Sequence, residues 1–120
     1  MGACLLVERD TAERHRLQSL LSGLGFACES VADASAALAY CRAHTPELVM
    51  MDAAAVDEAR DVLRATRGGA GGSVVILYAS QPGIAAMGET ILEGAAEFLL
   101  KPFDQDLLSF KLRQAGLLRH

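Results

Sequence analysis

The apolar and polar positions of this chain change period at regular intervals. "ACLLVE" (3–8) is a short unbroken apolar run, the pattern of a strand covered on both faces. Leu17, Leu20, Leu21 and Leu24 follow at helical spacing, with Asp10 and Glu13 fitting a capping box before them and Gly23 or Gly25 fitting the stop. "FACESV" (26–31) predicts a more polar strand at the sheet edge. Asp33 then predicts the cap of a helix over 34–44, with Ala34, Ala37, Leu38 and Cys41 inward and Pro46 ending it. "ELVMMD" (47–52) predicts a third strand that ends on an acid, followed by a helix over 56–66 and the loop "GGAGG" (68–72). "SVVILYA" (73–79) predicts the fourth strand, and a helix over 84–93 follows. "AEFLL" (96–100) predicts the fifth strand, and a last helix runs over 104–115.

Strands alternating with helices, joined by right-handed crossovers, make a doubly wound parallel sheet between two helix layers. Ligands of such sheets bind at the carboxyl ends of the strands. That rule brings together residues far apart in sequence: Glu8, Arg9 and Asp10 after strand one, Asp52 after strand three, Tyr78, Ala79 and Ser80 after strand four, and Lys101 with Pro102 after strand five.

Composition narrows the function. The 120 residues make one α/β domain, 1–120, and 52% hydrophobic content without Trp implies an aliphatic core. A net charge of −4 supplies no basic footprint for nucleic acid. No apolar run reaches the roughly 18 residues that span a bilayer, so the expectation is a soluble, cytoplasmic domain without a membrane partner. Cys4, Cys28 and Cys41 form no C-x-x-C pair, and each lies in an apolar segment, which predicts buried free thiols. His15, His44 and His120 share no ligand spacing with Cys or acids, so no zinc site is expected. No Ser-His-Asp set or phosphate-cradling loop appears, and the chain is not expected to be an enzyme.

"LLVERD" at the first strand end, "LVMMD" at the third and "EGAAEFLLKPF" before the last helix together resemble the receiver domains of bacterial two-component response regulators, over essentially the whole chain. The resemblance implies a flavodoxin-like strand order, 2-1-3-4-5. It implies Asp52 as phosphoacceptor for a histidine kinase, Glu8 and the next residue holding Mg²⁺ with Asp52, and Lys101 contacting the phosphoryl oxygens. The chemistry is that of phosphoryl transfer, in which a metal and a Lys neutralise charge.

The sequence departs from that pattern in four places. Arg9 stands where the second metal-binding acid belongs, and a guanidinium cannot coordinate a metal. Three readings stand: Arg9 is solvated at a loop start, or it is a counter-ion on Asp52 or Glu8 in the metal's place, or it turns away while Asp10 helps to hold Mg²⁺. Asp10 also suits a helix cap. The family's Ser or Thr after strand four falls on Tyr78 or Ala79, with Ser80 reaching it only after a register change. "DAAAVDEAR" lacks the usual Met-Pro and Asp-Gly. The aromatic switch position is Phe98, which has no hydroxyl. Pro102 after Lys101 suggests a cis bond.

The expectation is therefore an atypical or pseudo-receiver that signals by protein–protein contact with a histidine kinase, a phosphotransfer protein or another signalling protein; Arg9 counts against Mg²⁺. A conventional Mg²⁺-dependent receiver is the alternative. A small-ligand flavodoxin-like domain would need a phosphate-cradling loop in place of "ERDTAE", and a haloacid-dehalogenase-like enzyme would need Asp where Glu8 stands. In the last helix Leu108, Leu112 and Ala115 can face the sheet, leaving Leu107, Phe110 and Leu118 on other faces, where they suit docking or a homodimer through the strand-five surface and equally fit leucines exposed at a fraying helix end. The chain ends soon after that helix, which fits a stand-alone receiver and equally the front of a longer protein.

Overall fold

The computed structural model describes residues 2–53, 56–67, 72–80 and 97–118. In chain order the elements are β1 (Ala3–Val7), α1 (Thr11–Gly23), β2 (Ala27–Val31), α2 (Ala34–Ala43), β3 (Leu48–Asp52), α3 (Val56–Arg67), β4 (Val74–Ala79), β5 (Glu97–Leu100) and α4 (Gln105–Gln114). The helix expected over 84–93 and His120 lie outside the described residues. All strand pairs are parallel, in the order β2-β1-β3-β4-β5, the doubly wound flavodoxin-like arrangement.

Local sequence explains the helix starts. Asp10, Asp33 and Asp104 cap α1, α2 and α4, each carboxylate accepting the backbone N–H three residues on, at 2.8–2.9 Å. Gly25, with φ of 95°, supplies the left-handed turn after α1. Asp10 fulfils only half of the expected capping box, because its own N–H donates to the Glu8 carboxylate at 3.0 Å.

The period-2 alternation of the strands divides the core into two layers. Leu5, Val7, Val49, Met51, Leu77 and Phe98 pack with α2 and α3. Cys4, Leu6, Met50, Ile76, Tyr78 and Leu99 pack on the other face with Leu17 and Leu21 of α1 and Leu108 and Leu112 of α4. Edge strand β2 is only partly covered. Two sequence expectations change here. Only Cys4 is a buried thiol; Cys28 and Cys41 are partly exposed, Cys28 on the edge strand and Cys41 near the end of α2 at the margin of the core layer. Leu118 packs against the second core layer, because the chain turns back at Gly116 after α4. Leu107 and Phe110 do stand exposed, at 40% and 51%. Among the described residues no helix is long and apolar enough to cross a membrane.

Candidate functional site

The alternation that builds the two layers continues past the strand ends and sorts the polar residues there. Glu8, Asp52, Tyr78 and Lys101 share the parity of Leu6, Met50, Ile76 and Leu99, so they project toward α1 and α4. Arg9 has the parity of Val7 and projects toward α2 and α3. Two neighbours in sequence therefore reach different surroundings.

Glu8 is buried at 4% exposure. One of its oxygens accepts the Tyr78 hydroxyl at 2.8 Å and the other accepts the Asp10 N–H at 3.0 Å. Tyr78 is fully buried on β4, and its ring carries the hydroxyl to an acid two strands away in the sheet. Burial, and then the Glu8 charge, push the phenol's pKa well up, so it keeps its proton and serves as a donor. Phe103 packs edge-on against the same ring, at 6.0 Å between centroids.

Lys101 is the cation that bridges the acids. Its Nζ lies 3.2 Å from Glu13, 3.7 Å from Asp52 and 3.8 Å from Glu8, and 4.9 Å from the centroid of the Tyr78 ring. The Lys101–Pro102 bond is cis, and the Lys101 N–H donates to the Ala79 carbonyl at 2.8 Å, which anchors the residue to β4. Glu13 is a member of this cluster that the sequence reading assigned only to a cap. Its position one turn into α1, directly after the strand carrying Glu8, was the available signal. A hydrogen bond with Arg16, and then Lys101, hold its carboxyl below the usual carboxylate range.

Arg9 turns toward α3, where Nη2 lies 3.2 Å from both carboxylate oxygens of Glu58. The counter-ion expectation put this charge on Asp52 or Glu8, but the ion pair formed is with Glu58, because alternation sends Arg9 to the opposite side of the sheet from Glu8. Arg9 and Glu58 line a cleft together with Glu8, Asp33 and Asp52. Of the switch candidates, Tyr78 enters the site, Ala79 lies in the α2–α3 core layer, Ser80 is exposed, and Phe98 is buried in the same layer as Ala79. Asp10 acts as the cap of α1.

Mg²⁺ requires open oxygen ligands at about 2.0–2.1 Å in near-octahedral array. Here both oxygens of Glu8 already accept hydrogen bonds, its neighbour is a guanidinium, and Lys101 stands between Glu8 and Asp52. Glu8 and Asp52 are the carboxylates at this position, and the Lys101 ammonium lies within 3.8 Å of both. Among the described residues no group of three or more His, Cys, Asp or Glu is arranged to hold a metal.

No protein-family model matches the chain, and no curated protein matches it in sequence. Solved structures do match. The receiver domain of a sensor histidine kinase from Pseudomonas aeruginosa, with a magnesium ion coordinated in its active-site cleft, is 22% identical with a TM-score of 0.80, covering 96% of this chain and 98% of that one. A response regulator receiver protein from Burkholderia phymatum is 20% identical with a TM-score of 0.83, covering 98% of each chain. The FixJ-N structure is 20% identical with a TM-score of 0.83, covering all of this chain and 98% of that one. The chain has the five-stranded receiver fold. A shared fold leaves function to be argued from the site.

Proposed function

We propose that this chain is a receiver-type domain of two-component signalling whose acid pocket is closed by its own side chains, and which acts through protein–protein contact. The observation that carries this reading is the Tyr78 hydroxyl bound to Glu8 beside Lys101. A receiver needs a Lys and a metal to neutralise a phosphoryl group on its acceptor carboxylate. Asp52 and Lys101 supply the acceptor and the cation at 3.7 Å. The metal half is replaced: a buried phenol satisfies Glu8, and Arg9 takes the place of the second acid. Arg9 then lines the cleft and is not the internal counter-ion. The partner is a histidine kinase, a phosphotransfer protein or another signalling protein. The similar receiver domains carried by histidine kinases support that class.

The conventional reading, phosphorylation of Asp52 with Mg²⁺, has one observation in its favour: the Asp52 side chain keeps 32% exposure at the cleft. Incubation with Mg²⁺ and acetyl phosphate, followed by intact mass, separates the two. The closed-pocket reading expects no added phosphoryl group. A gain of one phosphoryl group that disappears in Asp52→Asn establishes the conventional reading instead.

A further inference from the structure

Cys4 on β1 and Cys28 on β2 are direct partners in the parallel register, and both side chains belong to the core layer that faces α1. Adjacent strands lie about 4.7–4.9 Å apart, within the range of roughly 4.4–6.8 Å between α-carbons that a disulfide tolerates. The two thiols differ in access. Cys4 is 1% exposed, whereas Cys28 is partly open to solvent on the edge strand. Because β2 has a neighbour on one side only, it can shift toward β1 without breaking a second ladder. Cys41 packs on the opposite face of the sheet and cannot join the pair.

We infer that Cys28 and Cys4 form a peroxide-reactive dithiol site, with Cys28 the thiol that is attacked by oxidant and Cys4 the thiol that resolves it into a β1–β2 disulfide. The inference is independent of how Asp52 functions. The Cys28 sulfur attacks one oxygen of hydrogen peroxide, the O–O bond breaks, and water leaves with the thiol proton, giving a sulfenic acid. The Cys4 sulfur then attacks the Cys28 sulfur, the S–O bond breaks, and a second water leaves. Each cysteine gives up one electron and peroxide takes both. The proximity of the two thiols favours this division: it lowers the Cys28 pKa and, with burial, raises that of Cys4.

The test uses the whole reduced chain, treated with hydrogen peroxide, alkylated, and analysed by intact mass and non-reducing peptide mapping. The expected product has lost two hydrogens, yields a Cys4–Cys28 linked peptide, leaves Cys41 alkylated, and reverts with dithiothreitol. In Cys4→Ala, shown to be folded by circular dichroism, Cys28 should gain one oxygen that dimedone traps. Oxidation of Cys41 ahead of Cys28 overturns the inference, as does wild-type Cys28 passing to a sulfinic acid without pairing to Cys4. These wild-type outcomes decide the matter even where a variant fails to fold.

Discussion

Glu8 and Arg9 share a peptide bond, yet Glu8 is 4% exposed and held by Tyr78, Asp10 and Lys101, whereas the Arg9 side chain is 67% exposed and pairs with a surface Glu58. The strand's alternation separates them, and solvent then sets the worth of each interaction. A charge away from water depends on every partner it has, while an exposed ion pair contributes little. The acid cluster should therefore govern the stability of this end of the sheet, and the Arg9 pair should hardly register.

The largest effect is expected for Lys101→Met, which leaves Glu8, Glu13 and Asp52 facing one another without their shared cation. The cost should be about 2–3 kcal/mol by urea unfolding, below the range for a fully buried pair because Lys101 keeps some contact with water. Tyr78→Phe removes one donor from buried Glu8 while keeping the ring in the core, and should cost about 1–2 kcal/mol. A cost for Tyr78→Phe as small as that of an ordinary surface substitution would show that the phenol does not hold Glu8.

Glu13→Gln should cost about 0.5 kcal/mol at neutral pH, since solvent screens its pairs with Arg16 and Lys101. The folded-state value of Glu13 is depressed, so its contribution is present above the unfolded carboxylate value, about 4.3, and is lost as pH falls through the lower folded value. The wild-type and Glu13→Gln stabilities should accordingly converge in acid. Arg9→Ala should change stability least, by no more than about 0.5 kcal/mol, and the difference should shrink further in high salt. A larger loss would mean that Arg9 serves the acid cluster after all.

Much of this architecture was legible in the residues. The switches between apolar runs and helical spacing marked the elements, and Asp10 and Asp33 marked two helix starts, whereas the Asp104 cap emerged only in the folded chain. The strand-end rule alone brings Glu8, Asp52 and Lys101 together. What the residues left open was direction. Alternation counted from Leu6 puts Glu8 and Arg9 on opposite sides, but only the packing of α1 and α3 shows that Lys101 awaits one and Glu58 the other. Glu13 was masked by its suitability as a capping residue. Tyr78 could be aligned with the receiver pattern's small hydroxyl residue, but its reach to Glu8 after β1 depends on the ring being packed within a formed core. The thiols followed the same logic: apolar neighbours suggested burial for all three, while the polar character of "FACESV" was the better guide to the exposure of Cys28.

The most direct test of the closed pocket is a Mg²⁺ titration followed by calorimetry, on the wild type and on a chain carrying Arg9→Asp with Tyr78→Thr. The wild type should show no saturable binding, and the double variant, with Glu8 released and a second acid beside it, should bind. Saturable Mg²⁺ binding by the wild type that is lost in Asp52→Asn would contradict the account.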